Sequence, residues 1–231
     1  MWTPMGEVEI IDSPFTENTA MSRPRIMLGR VPIRQSDTNS RPPPNLRLPL
    51  LCSSFEVSTF VTEKRYEEHL AGRWLVSTLL GYWGFDSSQL VIERNEHRAP
   101  ILAWKDNSRS NETLPSISIG HSEGWAVAAL CDSSRDVGID AEPASRSIGT
   151  PAFAMMASGD ELATLQACPE IALPIWTAKE AVQKALRLGM HLNPRKVSAK
   201  WPNPIGNFTT KISIGNSKIQ LETWEHKGLR I

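Results

Sequence analysis

The chain has 231 residues, its 25 Lys+Arg balanced by 25 Asp+Glu, with 40% hydrophobic and 22% charged residues. That length allows one large domain or two of about 100–150 residues, with a core that needs neither disulfide nor structural metal. A net charge of zero removes the bulk electrostatic signature of a nucleic-acid or anionic-membrane binder, so neither is expected as a partner.

The opening stretch carries acids where a secretory signal needs bases, and no run approaches the roughly 18 apolar residues that span a bilayer. Cys52, Cys131 and Cys168 are odd in number and far apart, matching neither a disulfide framework nor a zinc spacing. Buried, reduced thiols in a cytoplasmic protein are expected.

Residues 1–50 hold 8 of the 17 prolines, including Pro42-Pro43-Pro44, and so cannot form a regular helix. A short strand is expected over 25–33 within an otherwise extended, variable arm, where a PxxP ligand role is the lesser reading. From Thr59 the pattern turns helical. Tyr66, Leu70, Trp74, Leu75, Thr78 and Leu79 recur on one stripe, which Gly81 and Gly84 close. Short strands are expected over 90–93 and 101–104, with a polar loop over 106–112. Three more follow over 117–119, 125–130 and 137–141, separated by turn residues. A helix is expected over 159–167 and another over 176–188, the latter preceded by Pro174 and followed by Gly189 and Pro194. Alternating strands return over 199–224. No repeat of roughly 20–50 residues appears, and the mixed order of helices and strands predicts an α+β fold.

Three segments could carry chemistry. In Val137-Gly138-Ile139-Asp140-Ala141-Glu142, a strand would point Asp140 and Glu142 to one face. Paired carboxylates repel unless a proton or cation lies between them, and Mg²⁺ suits such a pair when waters and substrate phosphates complete its shell. Taken alone, the pattern fits a solvated pair on an edge strand better than a metal site. In Trp176-Thr177-Ala178-Lys179-Glu180-Ala181-Val182-Gln183-Lys184, Glu180 and Lys184 stand one helical turn apart. By itself this segment reads equally as a capping box from Thr177 to Glu180, or as a surface ion pair. The third, Gly120-His121-Ser122-Glu123-Gly124, satisfies the G-x-S-x-G pattern of a serine hydrolase, with Asp140 and His191 following in order. Such an elbow needs a long helix straight after the serine. Only the short run 125–130 follows, so an esterase using Ser122 is kept as an alternative of lower weight.

Together and in this order, the segments resemble the Sfp-type 4′-phosphopantetheinyl transferases. That family shows (S)-x-S-H-S, then G-(I/V)-D-x-E, then W-x-x-K-E-A-x-x-K. Upstream, Arg65-Tyr66-Glu67-Glu68-His69-Leu70-Ala71-Gly72-Arg73 is similar to the family's R-x3-(H/F)-L-A-G-R helix. The stretch from Arg94 to Pro100 stands where the family has basic residues before a proline. Two positions depart: Gly120 replaces the serine before the motif histidine, and Ala99 precedes Pro100 with Arg98 one place earlier.

The resemblance implies two similar α+β halves related by a pseudo-twofold axis, with the active site in the cleft between them; their bounds are taken as 51–134 and 135–231. It implies transfer of 4′-phosphopantetheine from coenzyme A to a serine of an apo acyl or peptidyl carrier protein, releasing 3′,5′-ADP. It further implies Mg²⁺, or Mn²⁺ in its place, held by Asp140, Glu142 and Glu180. Glu180 would be general base and Lys184 would offset charge on the phosphates. Arg65, Arg73, Arg94, His121, Lys179 and Lys184 would bind coenzyme A. A monomer serving polyketide, nonribosomal-peptide or siderophore synthesis is the expectation, and an inactive scaffold that only binds carrier proteins is the other alternative.

Overall fold

A computed structural model of the chain describes residues 2–12, 26–34, 48–198, 208–214 and 216–231. Two compact units divide it: Met1–Glu96 with Pro100–Val137, and His97–Ala99 with Gly138–Ile231.

The first unit contains β1 (Glu9–Ile11), β2 (Ile26–Pro32), α1 (Ser54–Ser58), α2 (Glu63–Trp83), β3 (Leu90–Arg94), β4 (Pro100–Trp104), β5 (Ser116–Ser122) and β6 (Trp125–Cys131). Four of these strands form an antiparallel sheet in the order β1-β2-β6-β5, while β3 and β4 form a separate hairpin. The expected strand near 25–33 is β2. It is no isolated piece of an arm, because it pairs with β6 from Ile26↔Cys131 to Pro32↔Trp125. Trp2 is buried as well, and its indole Nε1 donates to Glu67 Oε2 at 2.7 Å. Residues 1–50 thus contribute β1 and β2 to the sheet and Trp2 to its core. The run Pro42-Pro43-Pro44 lies outside the described residues.

Helix α2 starts where Thr62 Oγ1 accepts from the Arg65 amide and stops at Gly84, whose φ of 102° is left-handed. The predicted stripe is real: Tyr66, Leu70, Leu75 and Leu79 are buried, and the helix packs on β2, β5 and β6. Each such leucine contributes about 1.5–3 kcal/mol relative to an exposed one. The same helix also buries Glu67, His69 and Arg73, polar groups that need partners. Ser122 is the last residue of β5, pairs with Trp125 and leads by a tight turn into β6. A hairpin, not a helix, follows the serine, so the nucleophile-elbow geometry is absent.

The second unit contains β7 (Glu142–Pro143), α3 (Phe153–Met156), α4 (Gly159–Ala167), α5 (Ala172–Ala185), β8 (Phe208–Ile214), β9 (Ser217–Thr223), β10 (Glu225–His226) and β11 (Leu229–Arg230). Strands β8 and β9 pair as a hairpin, and β10, β11 and β7 form a small sheet. The amino-terminal half of α5 shares a core with α3 and α4 through Phe153, Met156, Leu165 and Ile175. Its carboxy-terminal half packs Val182 with Leu192, Val197, Ile212 and Leu221.

Two expectations are corrected here. Helix α5 begins at Ala172, four residues before the predicted start, so Pro174 lies inside its first turn. Proline is tolerated there because first-turn amides have no intrahelical acceptor. Thr177 is consequently mid-helix, its hydroxyl donating to the Leu173 carbonyl at 3.1 Å, and the capping box does not form. Residues 137–141 are not a strand, and pairing begins only at Glu142. Among the described residues no helix is long and apolar enough to cross a membrane. The three cysteines are free, and burial pushes the Cys52 thiol up to about 12 and the Cys131 thiol to about 11.

Candidate active site

Gly138 explains why 137–141 is not a strand. A Cβ there would run into the Ala181 carbonyl oxygen and stand 2.5 Å from the Ala185 amide nitrogen. The segment thus lies directly on the backbone of α5, an approach only glycine permits. Two residues later Asp140 meets that helix: Lys184 Nζ donates to Asp140 Oδ1 at 2.6 Å. The Asp140 side chain is 7% exposed and that of Lys184 29%. Asp140 Oδ2 is buried and has no hydrogen-bond partner.

Glu180 stands one turn before Lys184 on α5. Burial pushes its carboxyl up to about 7, and the nearby charges of Asp140 and Glu142 act in the same direction; Lys184 and Arg146 pull the other way. Glu142 forms an ion pair with Arg146 Nη1. The structure therefore gathers Asp140, Glu142, Glu180 and Lys184 into one electrostatic neighbourhood, and adds Arg146. The i, i+4 spacing from Glu142 is the one sequence signal that could have shown Arg146. Among the described residues no three His, Cys, Asp or Glu side chains are arranged to hold a metal ion by themselves. Lys184 and Arg146 instead engage two of the three carboxylates.

Lys179 does not join this group. It is wholly buried, and its Nζ donates to Glu161 Oε2 at 2.7 Å, to the Met156 carbonyl at 2.7 Å and to the Pro194 carbonyl at 3.1 Å. All three ammonium hydrogens have acceptors, which leaves none for a ligand phosphate. In this structure the side chain ties α5 to α3, α4 and the turn at Pro194.

The remaining predicted residues belong to the first unit. Arg73 and Arg94 converge on one carboxylate, that of Glu56: Arg94 Nε donates to Oε1 at 2.6 Å and Arg73 Nη2 to Oε2 at 3.3 Å. His69 Nε2 lies 3.7 Å from the same Oε2. His121 is exposed at the end of β5 and close to α2, where a Cβ at Gly72 would stand 3.1 Å from its Nε2. Arg65 stands apart, its exposed side chain paired with Glu68. Glu56 belongs to no recognisable motif, and nothing in the sequence singled it out.

A half-buried carboxylate with a pKa near neutrality, beside a buried Asp–Lys pair, defines a site equipped for proton transfer on a charged substrate. The comparison with protein families gives that class its name. Residues 136–229, which include Asp140, Glu142, Glu180 and Lys184, match the model of the 4′-phosphopantetheinyl transferase superfamily and form a domain of it. The mixed α+β architecture is consistent with that match, which supports transfer of phosphopantetheine in general. No curated protein matches the chain.

Proposed function

We propose that the protein, as an Sfp-type member, moves 4′-phosphopantetheine from coenzyme A to the serine hydroxyl of an apo acyl or peptidyl carrier protein, in the cytoplasm and as a monomer. The observation that carries this is the half-buried Glu180 carboxylate standing in the charge field of the Asp140–Lys184 pair, inside the matched segment.

In the transfer, the serine oxygen forms a bond to the phosphorus of the phosphopantetheine group as the bond from that phosphorus to the 3′,5′-ADP oxygen breaks. The serine proton passes to Glu180. Lys184, partly exposed and held by Asp140, offsets the charge gathering on the phosphate oxygens. The donor set fits a divalent cation of the Mg²⁺ or Mn²⁺ kind: all hard oxygens, with one buried and unpartnered at Asp140 Oδ2. Asp140, Glu142 and Glu180 would hold the ion, with waters and the pyrophosphate of coenzyme A completing its shell. When bound, it neutralises charge on that pyrophosphate. In the first unit Arg73, Arg94 and His121 receive the 3′-phosphate, since guanidinium groups present paired donors to such an anion. The carriers of polyketide, nonribosomal-peptide or siderophore assembly are the acceptors assigned.

The test is an intact-mass assay of an apo carrier protein mixed with coenzyme A, Mg²⁺ and the enzyme. A mass gain of one phosphopantetheine, lost with EDTA and with Glu180→Gln, is the expected result. No gain on any class of carrier, together with no binding of coenzyme A, would overturn the assignment.

A further inference from the structure

Arg73, Arg94, His69 and Glu56 form one charge group in the first unit. Arg73 is 3% exposed and His69 8% exposed, so both are side chains whose polar atoms need partners inside the protein. Yet Arg73 Nε and His69 Nε2 are buried without a hydrogen-bond partner. Glu56 has two oxygens and one negative charge to set against two guanidinium groups. Arg73 Nε is thus a buried donor with no acceptor, and one carboxylate is shared between two guanidinium groups. A phosphate offers an acceptor for that donor and more: three terminal oxygens and up to two charges, matched to arginine donors.

The element carrying Glu56 is weakly held. Helix α1 has five residues and buries none of them, and Phe55 beside Glu56 is 80% exposed. Besides the ion pairs, the packing of Val57 and Phe60 on the core secures this part of the chain, Phe60 lying 4.9 Å from the His69 ring. Glu56 sits on an exposed five-residue helix, so its side chain can swing away when another anion takes its place beside buried Arg73.

We propose that Glu56 is an internal substitute for a phosphate: its carboxylate occupies the Arg73–Arg94 position that the 3′-phosphate of coenzyme A takes, and gives it up when that phosphate binds. The proposal rests on the reading that Arg73 and Arg94 receive the 3′-phosphate. Glu56 then lowers affinity for every ligand carrying that group and keeps the arginines paired while the site is empty. It differs from a carboxylate that merely holds the arginines in place, whose loss would weaken binding.

Calorimetric titration of the full chain with coenzyme A and with dephospho-coenzyme A, which lacks only the 3′-phosphate, decides between them. Glu56→Gln is expected to bind coenzyme A about three- to tenfold more tightly, as removal of one part-exposed competing ion pair allows. Binding of dephospho-coenzyme A is expected to stay unchanged. Arg94→Ala should lose affinity for coenzyme A alone. If Arg94→Ala behaves so but Glu56→Gln binds coenzyme A equally or less well, the substitute role is overturned while the phosphate site stands. If wild type and Arg94→Ala treat the two ligands alike, the phosphate reading fails and takes the proposal with it. Hydrogen exchange on the wild type needs no variant: amides of α1 should exchange faster when 3′,5′-ADP binds, and slower exchange would equally overturn the proposal.

Discussion

Lys184 Nζ and Asp140 Oδ1, forty-four positions apart in sequence, are joined at 2.6 Å in a pair of unequal burial. Lys184 is 29% exposed and Asp140 only 7%, so removing each partner has a different consequence. Lys184→Met leaves a buried carboxylate with neither oxygen paired. Asp140→Asn leaves an ammonium that can turn to water. We expect Lys184→Met to cost about 1–3 kcal/mol and Asp140→Asn distinctly less, read as urea unfolding free energies. Both variants should lose transfer. Equal stability losses would show that Asp140 reaches solvent.

Gly138 sets the approach of the Asp140 segment to α5. Gly138→Ala places a methyl group against the Ala181 carbonyl and the Ala185 amide, and backbone, not a flexible side chain, must move. A cost of about 1–3 kcal/mol is expected from such overpacking. Because the shift separates Asp140 from Lys184, kcat should fall even where the variant is folded. Full activity with unchanged thermal stability would contradict the close approach.

Lys179 and Glu161 form a buried ion pair, 1% and 5% exposed. Burial pulls the Lys179 pKa down, and the hydrogen bond and charge of Glu161 oppose it. Breaking such a pair from one side typically costs about 3–5 kcal/mol. Lys179→Ala should therefore fail through folding, with little purified protein or a low unfolding midpoint. The double variant Lys179→Met with Glu161→Leu, which removes both charges, should recover much of the stability. A folded Lys179→Ala whose only defect is a raised KM for coenzyme A would restore the phosphate-binding role.

His69 makes the first unit sensitive to acid. Burial, and after it the charge of Arg73, push its imidazole from 6.5 down to about 3, while Glu56 pulls the other way. Below the unfolded value of 6.5 the unfolded chain takes up a proton that the folded one refuses. Stability from this group is thus present above pH 6.5 and drains away as pH falls toward 3. Unfolding midpoints measured over that range should fall less steeply in His69→Gln than in the wild type. Identical slopes would refute the assignment.

Much of this was open to sequence reasoning, for local reasons. The buried stripe of α2 follows from Tyr66, Leu70, Leu75 and Leu79 at helical spacing, and Gly84 marks its end. Helix α4 lies over Gly159–Ala167, as its pattern predicts. The gathering of Asp140, Glu180 and Lys184 was legible only because separate motifs resembled one family in one order. Neither spacing nor composition could have joined them.

Tertiary structure decided the rest, because the deciding contacts are between residues distant in sequence. Pattern alone makes 137–141 a strand, but the bare backbone of Gly138 finds α5 before it finds a strand partner. Lys179 and Lys184 are both lysines of one motif, and five positions on a helix turn them to different faces. One points to buried acceptors and the other to Asp140. Glu56 carries no local signature at all, since its partners Arg73 and Arg94 are brought to it by α2 and β3. The sequence by itself determined which groups are available and which stretches become helix or strand, through periodicity and capping. Which charges become partners, and hence their burial and acidity, depended on long-range packing that no local pattern encodes.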